Sequence, residues 1–283
     1  MKKGTLNFRT SPLEKSKLVF QLGTADPDLA LEAALTVIQD VSAVDLNCGC
    51  PKKFSISGGM GAALLSDPDR LIKILEKLVT NLPVPVSCKI RTLDSPDATL
   101  ELCRRIEKTG VHALAVHCRT REERPSQPAH WDRLTPIVAE IDPLIPIIIN
   151  GDVFLPKHIS KARAATGVSS VMIARGAMIN PCIFDTKGEP ATQREAVIRY
   201  MRHAINYDFP YQNVKYTLMQ MYDDPKTPEF LSLQNAKSMR AISSVFGVEA
   251  YFDSTQEKWQ ASAANSPDLD GPTHKRQRID TTA

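Results

Sequence analysis

Six short runs of apolar and β-branched residues recur along the chain, at KLVFQLG (17 to 23), SAVDLN (42 to 47), VPVSCKI (84 to 90), HALAVH (112 to 117), IPIIIN (145 to 150) and SSVMIAR (169 to 175). Between them lie segments of helical periodicity with recognisable starts. Asp26-Pro27 precedes LALEAALTVIQD, Asp67-Pro68 precedes DRLIKILEKL, and Ser95-Pro96 precedes DATLELCRRIEK. A capping side chain followed by proline in the first turn is an entry signal, and Gly110 closes the third of these helices. Runs so short and so continuously apolar read as strands buried on both faces. Their alternation with helices specifies a parallel sheet, either a barrel or an open doubly wound sheet.

The placement of polar residues separates the two. In a parallel barrel, chemistry collects at the carboxyl ends of several strands. Here those ends carry Gln21, Asn47 with Cys50, Lys89 with Arg91, His117 with Arg119, Asn150 with Asp152, and Arg175. Any one of them could simply cap a strand; their recurrence at one level points to a convergent site. The expected fold class is therefore α/β, a TIM-type (βα) barrel over residues 1–184. A full barrel has eight strands, whereas six runs are present and the stretch before the first is short and largely polar, so the first two βα units are expected to be missing. Only helical patterns follow, at 196 to 207, 214 to 222 and 228 to 246, which predicts a small all-α domain over 185–252. From Asp253 the chain turns polar, and a tail over 253–283 is expected to bury too little surface to fold. Its basic tetrad at 275 to 278 reads as a solvated end, with nuclear import or RNA contact as the alternative.

A hydrophobic content of 42% supports a sizeable core. The longest apolar runs, such as PLIPIII at 143 to 149, fall short of the roughly 18 residues that span a bilayer, and residues 1 to 20 lack a signal-peptide core. A cytoplasmic protein is expected, with no membrane partner. The six cysteines, at 48, 50, 88, 103, 118 and 182, form no disulfide framework, so reduced thiols are the default. A formal charge of +3 is too small to announce a nucleic-acid partner.

Cys48 and Cys50 flank a single glycine directly after a strand. That spacing is wrong for a zinc clip and strained for a disulfide, which leaves a loop thiol available for covalent or acid–base work; no metal is expected. SGGMGAALL (57 to 65) lacks the third glycine of a dinucleotide fingerprint and follows a loop rather than a strand. A better phosphate cradle is offered by Asn150-Gly151-Asp152 and by Ala174-Arg175-Gly176, since barrels frequently hold phosphate after their last two strands. Lys89 and His117 suit the N1 and O2 edge of a flavin, where a cation stabilises the charge of reduction; a buried, backbone-bonded histidine is the plainer reading of His117.

Taken in order, VFQLGT, DLNCGCP, GGMGAALLSDPD, SCKIRT, AVHCRTREERP, IINGD and MIARGAM resemble the tRNA-dihydrouridine synthases, and SGGMGAALL with REERP resembles the branch that modifies position twenty of tRNA. The resemblance implies an FMN-binding barrel followed by a helical tRNA-binding domain. It implies Cys50 as general acid, with Cys48 at a position the pattern leaves free. It assigns FMN to Gln21, Lys89, His117, Asn150, Gly151, Asp152, Ala174 and Arg175, and tRNA to Asn47, Arg91, Arg119 and Arg121, with Arg124 beside them. NADPH or NADH would reduce FMN, hydride would pass to C6 of an extruded uracil, and Cys50 would protonate C5. A thiol of pKa about 8.5 is protonated at neutral pH yet gives up its proton readily. No obligate protein partner is implied. Loss of the first strands, one of which carries an FMN-binding loop in the family, is expected to weaken the chain as an enzyme. Two rival readings are a dihydroorotate-dehydrogenase-like flavoenzyme and a catalytically inactive, truncated tRNA-binding protein.

Overall fold

The computed structural model describes residues 8–185, 191–222 and 224–265. They form two compact units, the first reaching Ile173 and the second running from Ala174 together with Phe154–Pro156. The first unit contains β1 (Val19–Leu22), α1 (Pro27–Leu35), β2 (Ala43–Asn47), α2 (Lys53–Ser57), α3 (Pro68–Asn81), β3 (Val86–Arg91), α4 (Pro96–Glu107), β4 (Ala113–His117), α5 (Thr135–Glu140), β5 (Ile147–Asn150), α6 (Pro156–Thr166) and β6 (Ser170–Met172). The strands are all parallel and lie in the order β1-β2-β3-β4-β5-β6. An order that never reverses has no switch point, so it winds as a parallel barrel does and not as a doubly wound sheet. Among the described residues β1 and β6 are the two edges of the sheet.

The helix starts are those the sequence marks. The Asp26 carboxylate accepts from the backbone N–H of Asp28 and Leu29, Asp67 accepts from Arg70, and Ser95 from Ala98. Gly110 takes φ +80° just beyond α4. On α3, Leu71, Ile74, Leu75 and Leu78 are all buried, the i, i+3, i+4, i+7 stripe of a helix seated on a sheet.

The strands depart from expectation in one respect that decides the site. On β2 and β3 they are not apolar on both faces, whereas β4 and β5 are apolar on both up to their terminal His117 and Asn150. Val44, Leu46, Val86, Cys88, Ile90, Leu114, Val116, Ile147 and Ile149 share one core with the helices. The alternate residues belong to the opposite face: Asp45 and Asn47 on β2, Ser87, Lys89 and Arg91 on β3, Ala113, Ala115 and His117 on β4, and Ile148 and Asn150 on β5. The register aligns them, pairing Asp45 with Ser87, Asn47 with Lys89, Arg91 with His117, and His117 with Asn150. The edge strands are also less buried than central ones, and Val19 on β1 is 49% exposed.

The second unit contains α7 (Arg175–Ile179), α8 (Gln193–Asn206), α9 (Tyr211–Met221), α10 (Pro228–Asn235), α11 (Met239–Val245) and α12 (Glu249–Asn265). Val197, Met201, Ile205, Val214, Leu218, Leu233, Ile242 and Phe246 form its own core. A capping box between Thr192 and Glu195 starts α8. The expected onset of an unfolded tail at 253 is too early, because α12 runs on to Asn265. Three of its polar residues are tied down: the hydroxyls of Ser254 and Thr255 donate to Tyr251 O, and Arg240 of α11 forks onto Asp253 at 3.1 Å from both nitrogens. The basic tetrad at 275 to 278 lies outside the described residues.

The two-faced sheet makes a measurable difference between positions of similar chemistry. Ile90→Ala should lower the unfolding free energy by about 2–5 kcal/mol, since it opens a cavity in the helix-facing core. Val19→Ala, on the exposed edge, should change it by only about 0.5 kcal/mol. Denaturant titration of both variants is the check, and equal losses would contradict the assignment of faces.

Candidate active site

The loop after β2 separates its two thiols. Cys48 continues the helix-facing side; it is fully buried, its Sγ donates to Leu46 O at 3.6 Å, and burial pushes its thiol well above the ordinary value. Cys50 is half-buried. The chain turns between them because Asn47 Oδ1 accepts from the N–H groups of both Gly49 and Cys50, each at 3.1 Å. From the other side the backbone N–H of Ala62 donates to Cys50 O at 3.0 Å. This approach requires glycine at 61. Gly61 has φ +62°, and a Cβ there would lie 2.3 Å from Ser55 Oγ and 2.8 Å from Cys50 O. The glycine-rich SGGMGAALL stretch thus seats the thiol loop, a role that its failure to match a nucleotide fingerprint left unassigned.

Behind the loop sits a buried carboxylate that the sequence reading did not single out. Asp45 accepts from Ser87 Oγ and from Gln21 Nε2, each at 2.7 Å, and Gln21 Oε1 accepts from Asn47 Nδ2 at 3.1 Å. Burial raises the Asp45 pKa, opposed by these two bonds and by the Lys89 cation. The only sequence signal was alternation, with Asp45 and Asn47, and Ser87, Lys89 and Arg91, at every second position.

Three cations crowd the strand ends. Lys89 is lowered to about 8, first by burial and then by repulsion from Arg91, against attraction to Asp45. Arg91 donates from Nε to Gly49 O and from Nη1 to Thr120 O, both at 2.8 Å, so it braces the loop after β2 against the loop after β4. Arg119 is the exception to its expected role. Its side chain is only 2% exposed, its Nη2 lies 2.6 Å from both carboxylate oxygens of Asp152, and its Nε donates to Gln127 O at 2.8 Å. A guanidinium so enclosed is part of the scaffold and not an RNA contact. The sequence could not show this, since the partner lies 33 residues away. Arg121 is exposed and paired with Glu122 at 2.9 Å.

Arg119 Nη1 also lies 3.2 Å from His117 Nε2, and because arginine can only donate, that ring nitrogen accepts. His117 is held at about 3 by burial and by Lys89, Arg91 and Arg119, with Asp152 opposing, so it is neutral at physiological pH. After β5, Asn150 Nδ2 donates to Met172 O, Trp131 Nε1 donates to Gly151 O at 2.9 Å, and Asp152 accepts from Ala129 N–H. Gly151 (φ +127°) leaves space that a Cβ would deny, since it would meet Ala129 Cβ at 2.7 Å. Gln21, Asn47, Lys89, Arg91, His117 and Asn150–Asp152 are thus brought to the carboxyl ends of one sheet. Ala174 and Arg175 fall in the second unit, where the Arg175 guanidinium lies 4.9 Å from the centre of the Phe154 ring. Among the described residues no group of His, Cys, Asp and Glu is arranged to hold a metal ion.

A sequence model of the family described as dihydrouridine synthase (Dus) matches residues 2–242. The tRNA-dihydrouridine(20) synthase of Schizosaccharomyces pombe is 40% identical over 248 residues, 86% of this chain and 52% of that protein. The tRNA-dihydrouridine(20) synthase of Saccharomyces cerevisiae is 38% identical over 259 residues, 85% of this chain and 66% of that protein. The chain therefore spans between half and two thirds of the length of these relatives. A human tRNA-dihydrouridine(20a/20b) synthase-like protein is 32% identical over 237 residues, 83% of this chain and 72% of its own length.

The cation cluster carries a pH signature. His117 takes up a proton near 6.5 when unfolded but only at about 3 when folded. Between those values the unfolded chain binds more protons, so this histidine makes stability fall as pH drops from 6.5 towards 3 and contributes nothing above that window. His117→Gln should gain on the parent as pH falls through the same range and run parallel to it above. Unfolding midpoints measured across pH test this, and parallel profiles throughout would contradict the buried neutral histidine.

Proposed function

From a chain that belongs to the dihydrouridine synthase family, we infer that its first unit reduces the C5–C6 double bond of a tRNA uridine with Cys50 as proton donor. The observation that carries this reading is the divergence of two thiols two residues apart. Cys48 is sealed in the core, whereas Cys50 is half-exposed, anchored by Asn47 and by Ala62, and set beyond the strand level of Lys89.

The residues at the strand ends suit FMN. Lys89 supplies a partly desolvated cation, neutral His117 a polar ring, and Gln21 and Asn150–Asp152 flank them, while Ala113 and Ala115 keep the neighbouring strand free of bulk beside Ser87 and Lys89. When bound, FMN supplies the hydride that adds to uracil C6. The names of both yeast relatives specify NAD(P)+, and a reduced nicotinamide is the proposed source of electrons. The chain's own part is to hold a cation against developing negative charge and to deliver a proton. Cys50 Sγ–H gives its proton to C5 as hydride reaches C6, leaving a thiolate that solvent reprotonates. Water access through the half-buried loop makes that last step possible.

The uridine must leave the RNA stack to reach such a site, at a cost of a few kcal/mol that is least in loops. Position 20 is the proposed target, as in the two yeast relatives. Exposed Arg121 remains the candidate for RNA phosphate, while Asn47 and Arg91 act by shaping the loops. The second unit, with Arg194, Arg199 and Arg202 exposed on α8, is proposed to bind tRNA. The compartment proposed is the cytoplasm.

Cys50→Ala should retain FMN yet lose dihydrouridine formation by about 100-fold or more, the usual worth of a positioned acid. Cys48→Ala should be mild by comparison. Single-turnover assays on unmodified tRNA with FMN, NADPH and excess protein register even weak conversion. No product from the parent, or equal losses in both variants, would overturn the reading.

A further inference from the structure

Two side chains, Gln21 and Asn47, join the buried Asp45 carboxylate to the backbone of the loop that presents Cys50. Asp45 is 5% exposed and accepts from Ser87 Oγ through one oxygen and from Gln21 Nε2 through the other, both at 2.7 Å. Gln21 Oε1 accepts from Asn47 Nδ2 at 3.1 Å, and Asn47 Oδ1 accepts from the N–H groups of Gly49 and Cys50 at 3.1 Å each. Both ends of this relay have a single polarity, because a carboxylate can only accept and a backbone N–H can only donate. Neither amide is therefore free to turn over. Reversing Asn47 would aim its NH2 at two N–H groups, and reversing Gln21 would aim its oxygen at a carboxylate.

We propose that Asp45 is a positioning residue for Cys50: the acceptor oxygen it presents to Gln21 sets the direction of the Gln21 and Asn47 amides and so locks the turn that holds the thiol. The inference rests on the reading of Cys50 as proton donor for its functional meaning, but its geometry can be tested apart from catalysis. Lys89 stands in register with Asn47 and close enough to Asp45 to lower its pKa, so a negative charge at either end of the relay has the same cation beside it.

The test is to reverse the relay. In Asn47→Asp the new carboxylate can still cap the turn, but a carboxylate then stands at each end of Gln21, and its single amide oxygen must face one of them. In Asp45→Asn the new amide can show its oxygen to Gln21 and its NH2 to Ser87 Oγ, which leaves the direction unchanged. Combining the two restores a consistent chain running the other way: the amide at 45 donates to Gln21 Oε1, Gln21 Nε2 donates to the carboxylate at 47, and that carboxylate accepts from Gly49 and Cys50.

Iodoacetamide labelling of Cys50, followed by mass spectrometry of its peptide at mildly alkaline pH, reads how firmly the loop is held, and denaturant unfolding is measured alongside. Asn47→Asp is expected to speed labelling by roughly tenfold, equivalent to about 1.4 kcal/mol of lost restraint. Asp45→Asn and the double variant should both lie within about twofold of the parent, a non-additivity that only directly coupled groups produce. If Asn47→Asp does not fold, recovery of a folded double variant supports the relay and its failure to fold overturns it. A double variant as perturbed as Asn47→Asp, or an Asn47→Asp variant that labels like the parent, also overturns it. None of these readouts depends on dihydrouridine formation, so the relay and the proposed reaction can fail separately.

Discussion

Successive residues of a strand point to opposite sides, and in a parallel sheet of fixed register this alternation is inherited by every neighbour. The rest of the first unit depends on that constraint. One set of alternate positions, running from Val44 and Leu46 through Ile90 and Val116 to Ile149, closes against the helices as core. The other set is left to Asp45, Asn47, Ser87, Lys89, Arg91, His117 and Asn150. A slip of one residue in β2 or β3 would bury Asp45 or Lys89 under the helices and expose core to the site.

Gathering cations on one face has an electrostatic cost that the structure offsets locally. Arg91 repels both Lys89 and Arg119, and burial together with the three cations holds His117 neutral. Asp45 answers Lys89 from the neighbouring strand, and Asp152 takes Arg119 bidentately from the loop after β5. Breaking such a buried pair by removing one partner leaves an uncompensated charge, so Asp152 and Arg119 are bound to each other's presence. Asp152 also holds φ +55°, a conformation stabilised here by its bonds to Arg119 and Ala129.

Much of this was legible in the residues. Asp26, Asp67 and Ser95 before prolines marked the helix starts, and the strand-end polar residues marked the level of the site, because both signals are local. The meaning of the odd positions in SAVDLN and VSCKIR was less legible: runs dominated by valine, isoleucine and cysteine read as apolar on both faces, and only pairing shows that Asp45, Ser87 and Lys89 fall on one side. Arg119 looked like an exposed basic residue in a charged loop, but its burial depends on Asp152 and on Gln127 O, which no local pattern reveals. Gly61 was read against the wrong template, since its reason is proximity to Cys50 O. The helical stretch after Asp253 was missed because polar composition hides side chains that bond back to their own helix and to Arg240.

The central claim is that the polar face of the sheet is a binding surface organised around the Lys89 cation. Titration of FMN into the purified chain, followed by quenching of flavin fluorescence, addresses it most directly when repeated with Lys89→Ala. The expected result is saturable binding to the parent that weakens by roughly 10- to 150-fold in the variant, the range that a charge-assisted bond of about 1.5–3 kcal/mol implies. Equal affinity for both proteins, or no binding to the parent, would contradict it.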